Sequence, residues 1–416
     1  MNYEGQEAPE AGDPGLVDPE GRLNGGGDLP RLRAAGSPLQ PRMRLKRSIE
    51  VFSASDGSVY LLRMGAGDDM VLEEPSAADR LVLAALDDDW TDSACLAERL
   101  RSAGLDSRQA EVSLEALASL ELLEAESSGL LSETEAERFD RQLIYLADLA
   151  TSDATATELQ LRLMSSSVAL LGCGGLGTWA AVALAGAGVG RLVLIDDDVI
   201  ELSNLNRQML FTESQIGELK TESARRNLLE RFSGLQVETV NRRISSAADL
   251  ADLLPGIDLL ISTADWPAHL LPRWVNQACA EARVPYLSAG QFPPKLRVGP
   301  LVVPGLTGCL ACQESAARGR YPLYDELVAW RSERSTTDAS VSAVSGVIGT
   351  LLASEAMQHL IGVKRPASLD TALIIDLSEL SIMREPITVD PCCPVCSPCF
   401  EDRRRLVKNC RAIESP

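Results

Sequence analysis

The spacing of apolar positions changes character three times along the chain. From Met1 to about Pro41, Gly, Pro, Glu and Asp dominate and no hydrophobic period is sustained. Such a stretch cannot offset the entropy of ordering, so residues 1–43 are expected to form a disordered tail. From Arg44 short apolar runs begin. SIEVFS (Ser48 to Ser53) and SVYLLRM (Ser58 to Met64) read as strands joined by the turn formers Ala54-Ser55-Asp56-Gly57, and DMVLEE reads as a third. The period then lengthens to that of helices. Pro75 opens one from Ser76 to Leu86, Thr91 caps a second that Gly104 ends, and Asp106 caps a third to about Leu120. Three strands followed by three helices predict a compact winged-helix-like domain over 44–125.

Residues 126–134 are a polar linker, and beyond them the texture changes again. SSSVALLG, RLVLID, LQVETV, IDLLIST and VPYLSAG read as buried strands separated by helical stretches. That alternation predicts a parallel, doubly wound α/β sheet over a second domain, 135–405, with 406–416 as a C-terminal tail. There is no internal repeat and no coiled-coil heptad.

Composition narrows the chemistry. With 416 residues and 45% hydrophobic content the chain can bury a full core in two or three domains. No apolar run reaches eighteen residues and the N-terminus is acidic, so a soluble, cytoplasmic protein is expected. A formal net charge of -21 repels phosphate backbones and anionic lipid, which argues against nucleic acid or a membrane as partner and favours a neutral or basic peptide. Only two histidines occur, His269 and His359, which argues against a histidine-based triad or a multi-histidine metal site. Catalysis must run on Arg, Lys, Asp and Asn. Of ten cysteines, Cys95, Cys173, Cys279 and Cys410 are scattered while six form two tight groups, a pattern of metal binding more than of bridges.

The strand VALL runs into Gly172-Cys173-Gly174-Gly175-Leu176-Gly177 and then a helix, which sets G-x-G-x-x-G where backbone amides and a helix N-terminus can approach phosphates. Asp196 ends the next strand at about the 20-residue spacing of a ribose-binding acid. Taken alone, this loop does not choose between nucleotides. The segment Ile195-Asp196-Asp197-Asp198-Val199-Ile200-Glu201-Leu202-Ser203-Asn204-Leu205-Asn206-Arg207-Gln208 does, because it is polar and patterned where a dehydrogenase fold would simply continue.

That block, followed by Ile216-Gly217-Glu218-Leu219-Lys220 and Thr263-Ala264-Asp265, and preceded by Arg138-Phe139-Asp140-Arg141-Gln142, resembles the ThiF/MoeB superfamily of adenylyltransferases, relatives of ubiquitin-activating enzymes. The resemblance covers about residues 135–400. It implies a Rossmann-like ATP-binding core that activates a carboxylate as acyl-AMP with loss of pyrophosphate. By the family pattern, Arg207 and Lys220 hold the phosphates, Asn204 and Gln208 orient them, and Asp196 takes the ribose. Asp198 joins this ATP-binding set, Asp265 helps hold Mg2+, and Arg141 reaches the triphosphate of a partner subunit, so the active unit is a homodimer. Two C-x-x-C knuckles, Cys309/Cys312 and Cys393/Cys396, supply four thiolates for a closed structural Zn2+ site. Cys392 and Cys399 are alternative ligands by proximity, and family spacing favours Cys393 and Cys396.

Family members that form a thioester carry a cysteine before the helix that begins near Gly346-Val347-Ile348-Gly349. Here the segment from Arg331 to Ser340 has none, so the reaction is expected to stop at the acyl-adenylate or to pass it to an outside nucleophile. Cys173 reads as a packed residue. The N-terminal order of elements resembles the PqqD-like element that captures leader peptides of ribosomally made natural products; a purely structural or dimerising winged helix is the alternative. Three functions follow: adenylation of a precursor peptide, activation of a small sulfur-carrier protein, or a non-catalytic leader-binding scaffold for a cyclodehydratase.

Overall fold

The computed structural model describes residues 42–63, 69–88, 90–127, 129–151, 154–332 and 339–400. Residues 1–41, which hold nearly all of the expected tail, and 401–416 lie outside them. The N-terminal unit opens with β1 (Met43–Leu45), β2 (Ile49–Ser53), β3 (Val59–Arg63) and β4 (Met70–Leu72), followed by α1 (Ala77–Asp88), α2 (Ser93–Ser102), α3 (Ser107–Ser119) and β5 (Leu123–Ala125). β2, β3 and β4 form the antiparallel meander, and the three helices bury Ala78, Val82, Leu86, Leu96, Leu100 and Leu117 against Ile49, Val59 and Leu61. Two features depart from the sequence reading. The cap of α2 is Asp92, whose side chain accepts the amide of Cys95, whereas Thr91 exchanges backbone hydrogen bonds with Met43 and donates its hydroxyl to Ala85. A second small sheet, β1 antiparallel to β5, joins the two ends of the unit.

This unit docks on the core through its first turn. Arg47 pairs with Asp140, Ser48 donates to Asp148, and the buried Lys46 reaches the carbonyl of Ala150. All three partners lie on or directly after α5 (Asp140–Leu149), which follows α4 (Glu133–Arg138) and precedes α6 (Ala156–Ser165). Burial draws the Lys46 ammonium below its ordinary pKa, against the pull of Asp148.

The core is built on β6 (Ser167–Leu171), α7 (Gly175–Gly186), β7 (Arg191–Ile195), α8 (Lys220–Arg231), β8 (Gln236–Val240), α9 (Ala248–Ala251), β9 (Leu259–Ser262), α10 (Leu271–Ala282) and β10 (Tyr286–Phe292). These strands pair in parallel in the order β10-β9-β6-β7-β8. The sheet is not parallel throughout. β11 (Lys295–Val302), β12 (Thr371–Asp376) and β13 (Ser381–Pro386) continue it antiparallel beyond β10, giving eight strands in the described residues. Between β11 and β12 run α11 (Leu310–Arg320), α12 (Tyr324–Ser332) and α13 (Ser342–Ile361). α13 packs along α7 over one face of the sheet, and α10 covers the other. No helix in the described residues is long and apolar enough to cross a membrane.

Candidate active site

β6 is the point where the winding reverses, since β7 lies on one side of it and β9 on the other. Ligands of open α/β sheets bind at such a switch point, outside the carboxyl ends of the strands. A cleft of about 400 Å³ sits there, and its walls include Gly172, Gly174 and Gly175 after β6, Asp196, Asp197 and Asp198 after β7, and Thr263, Ala264 and Asp265 after β9. Two glycines are required by local geometry. Gly172 has φ +100 with the backbone of Ala264 pressed against it, and a Cβ on Gly177 would stand 1.9 Å from the carbonyl oxygen of Gly172. Gly177 therefore permits the helix to approach the loop without itself lining the cleft.

The block after β7 forms the cationic wall. Residues 198–200 pair with 217–220 through Ile200 N to Glu218 O, Gly217 N to Ile200 O and Lys220 N to Asp198 O, at 2.8–3.0 Å. This ladder fixes Lys220 as the first residue of α8, where the helix dipole opposes a cation. Asp198 offsets that cost with a 2.7 Å ion pair to the buried Lys220 Nζ. Arg207 is held differently: its guanidinium donates to Ser203 O and Asn206 Oδ1 and makes no ion pair among the described residues. The charge is aimed by neutral groups and left uncompensated.

Asn204 uses its Oδ1 to accept the backbone amide of Glu201, so it shapes the turn that presents Arg207. Gln208 is buried beside Gly174, and its Oε1 has no hydrogen-bond partner. A buried amide oxygen left bare in a polar cleft fits a missing ligand donor. Asp196 accepts the amides of Cys173 and Asp198, which ties the glycine loop to the end of β7. Burial holds its carboxyl above the ordinary value even though Lys220 and the two amides pull the other way. Cys173 is buried, and desolvation together with Asp196 pushes its thiol far up, the opposite of a reactive thiolate.

The expected residues are thus gathered at one cleft, with two exceptions. Gly177 lies behind the loop, and Arg141 does not line the cleft at all; its side chain is 93% exposed on α5. The motif around Arg141 splits its labour. Gln142 donates to Ala187 O and Gln160, Arg138 donates to Ser233, and Phe139 packs beside Gly188, so the element is anchored while Arg141 points outward. The cleft also contains residues the sequence reading missed: Arg242, Arg243, Trp266, Gln291 and Ser340. Arg242 is occupied by Asp252 and Asp249 O, while Arg243 is exposed and unpaired among the described residues. Their position just after β8, at a strand's carboxyl end, was the signal that would have found them.

The four cysteines of the two knuckles converge away from this cleft. Cys309, Cys312, Cys393 and Cys396 are buried, with neighbouring sulfurs 3.4, 3.6 and 4.0 Å apart. A tetrahedron of Zn–S bonds near 2.3 Å has sulfurs about 3.8 Å apart, so the set is compatible with zinc. Backbone Asp390 N and the Asn276 amide point N–H groups at Cys312 and Cys309, as ligand thiolates require. Cys392 is exposed and Cys399 donates to Ala280 O, so neither competes. The converging carboxylates in the described residues are Asp196, Asp197 and Asp198; Asp265 lines the same cleft but is not one of that group.

Comparison with known proteins agrees with this geometry. The ThiF family model matches residues 140–395. The Escherichia coli sulfur carrier protein ThiS adenylyltransferase is 35% identical over 233 residues, 55% of this chain and 83% of its own length. The molybdopterin-synthase adenylyltransferase of the same organism is 32% identical over 271 residues, 64% and 98% respectively. Among solved structures, E. coli MccB crystallised with AMPCPP and MccA superposes with a TM-score of 0.69 at 27% identity, covering 85% of this chain and 99% of that one.

Proposed function

The chain belongs to the ThiF family of adenylyltransferases, and on that premise we propose that it activates the C-terminal carboxylate of a ribosomally made precursor peptide as its acyl-AMP. The observation that carries the choice of substrate is the extent of the likeness to MccB. It spans 85% of this chain, more than residues 140–395 alone amount to, so it takes in the N-terminal unit, whereas the ThiS adenylyltransferase matches 55% of the chain. In the same reading, 44–125 captures the leader, which adds as a strand to an edge of the β2-β3-β4 meander and lies against α3.

The chemistry follows from the cleft. A substrate carboxylate oxygen attacks the α-phosphorus of ATP, the bond to the bridging oxygen breaks, and pyrophosphate leaves with the negative charge. Gly172, Gly174 and Gly175 admit the phosphates close to the backbone, and Asp196 accepts the ribose hydroxyls. Arg207 and Lys220 stabilise charge on the phosphates, Asn204 fixes the turn that aims Arg207, and Gln208 offers its bare Oε1 and its amide N–H groups. Asp265 would help hold Mg2+, which supplies further charge neutralisation there. Cys309, Cys312, Cys393 and Cys396 would hold Zn2+ as a structural ion.

In the same reading Arg141 completes the set from a second subunit; on its own chain it is exposed and does not line the cleft. Mixing Arg141→Ala protein with Arg207→Ala protein is expected to restore AMP formation that neither shows alone; no recovery after subunit exchange would assign Arg141 another role. The substrate itself is tested with ATP, Mg2+ and, in parallel, a precursor peptide encoded beside the gene and a sulfur carrier with a Gly-Gly tail. AMP and pyrophosphate are expected with the precursor only. AMP with the carrier only would move the protein to sulfur transfer, and tight precursor binding without AMP would make it a scaffold.

A further inference from the structure

Three consecutive residues of the N-terminal unit hold one helix of the core at both ends. Lys46 and Ser48 reach the end of α5, at Ala150 O and Asp148, while the longer Arg47 side chain reaches its first residue, Asp140. Arg47 meets that residue twice. One guanidinium nitrogen donates to the Asp140 carboxylate and the other donates to its carbonyl oxygen at 3.3 Å. The two side chains are 32% and 45% exposed, and a pair so open to water contributes little to stability. What it supplies is geometry, because a planar fork on two acceptors of one residue fixes direction as well as distance.

Asp140 turns its other oxygen to Arg141. Arg47 takes Oδ1, and Oδ2 stands 3.9 Å from Arg141 Nε. The hydrogen bond from Arg47, helped by the charges of Arg47 and Arg141, draws the Asp140 carboxyl below its ordinary pKa against the effect of burial. Asp140 is therefore ionised at neutral pH, and it is the one ionic partner that the described residues give Arg141. The core secures the residue on the other side, since Gln142 donates to Ala187 O and Gln160. Residue 140 is thus held by the N-terminal unit and residue 142 by the core. Arg141 itself is 93% exposed, so no packing restrains its side chain. A free arginine gives up rotamer freedom when it enters a site, and a restraint already present before binding reduces that cost.

We propose that Asp140, held in place by Arg47, is a positioning residue for Arg141, so that the N-terminal unit of one subunit tightens ATP binding in the cleft of the other. The assignment rests on the reading above in which Arg141 enters a second subunit's cleft. It gives the N-terminal unit a part in nucleotide binding besides holding a leader.

A double-mutant cycle on the full-length protein is the test, with the Kd of a non-hydrolysable ATP analogue measured by calorimetry in Mg2+. No peptide is needed, so the outcome does not depend on which substrate is adenylated. R141A is expected to weaken binding by about tenfold, and R47A and D140N each by about three- to fivefold. On the R141A background neither should weaken it further, and R47K should recover part of the R47A loss. Thermal melts and sedimentation of every variant should match the parent, because the residues concerned are exposed. If R141A binds the analogue as the parent does, this assignment and the reading beneath it both fall. If R141A weakens binding but R47A and D140N either have no effect or add their full loss to it, the reading stands and the positioning role falls. A lower Tm or loss of subunit association in both R47A and D140N would likewise overturn it, as a structural or interface role. Should R47A alone fail to fold, D140N closes the cycle.

Discussion

Lys220→Ala is expected to lower AMP formation by about a thousandfold while leaving the fold and its Tm close to those of the parent. The size follows from what a preorganised cation is worth where charge develops in the transition state, about 10² to 10³ for a single stabilising group, with more for a full charge on a leaving pyrophosphate. Retention of the fold follows from asymmetry in the ion pair. Lys220 is buried, but the side chain of Asp198 is 66% exposed, and an exposed partner is worth about 1 kcal/mol at most; the more buried Asp196, which Lys220 also favours, keeps the amides of Cys173 and Asp198. The backbone ladder from Lys220 N to Asp198 O survives the substitution. Pyrophosphate exchange and a thermal melt on one preparation check both halves. Retained exchange would remove Lys220 from the phosphate site, and a collapsed melt would make its role structural. Arg207→Ala should behave alike, because its anchors at Ser203 and Asn206 are neutral and solvated.

Cys309→Ser is expected to abolish bound zinc and to unfold at least the region joining α11 to the end of the described chain. Purified parent protein should contain one zinc per chain, released only by a strong chelator on warming. Structural zinc sites of small domains bind with an apparent free energy on the order of 10–16 kcal/mol, comparable to the ~5–15 kcal/mol by which a whole domain is stable. Here the ligands are buried in the same core cluster as Cys279, Val284 and Tyr286, so losing one thiolate leaves three close sulfurs and a polar hydroxyl in an apolar setting. Metal analysis beside circular dichroism is the measurement. A folded, active preparation without zinc would show that the four thiols pack as neutral groups.

What could be read from the sequence was whatever is encoded within a few turns of chain. The glycine loop, the run from Asp196 to Gln208 and the two cysteine knuckles are local patterns, and the structure brings most of their side chains to two places. The antiparallel half of the sheet escaped notice for physical reasons. β11 is broken by Gly299 and Pro300, where its pairing with β10 shifts register, and β13 is exposed at every position and so shows no alternation. β1 and β5 are three residues each and acquire meaning only by pairing across the whole N-terminal unit. Thr91 and Asp92 are both good cap formers in sequence, and only the bridge to Met43 decides between them. Gln291 and Ser340 reach the cleft from places far apart in the chain, and no spacing rule links them.

The cysteine pairs also have a mechanical meaning. Cys309 and Cys393 meet across 84 residues, and the stretch between them contains α12, α13, β12 and β13. With a cation bound, that stretch is a closed loop tied at its base. An unfolding motor pulling from the C-terminal side would meet the metal–thiolate knot before it could peel away β13, the outermost strand. Resistance to such pulling is then set by the strength and exchange rate of metal–sulfur bonds instead of by the edge of the sheet, and metal depletion in the cell would be felt first as faster turnover of the protein.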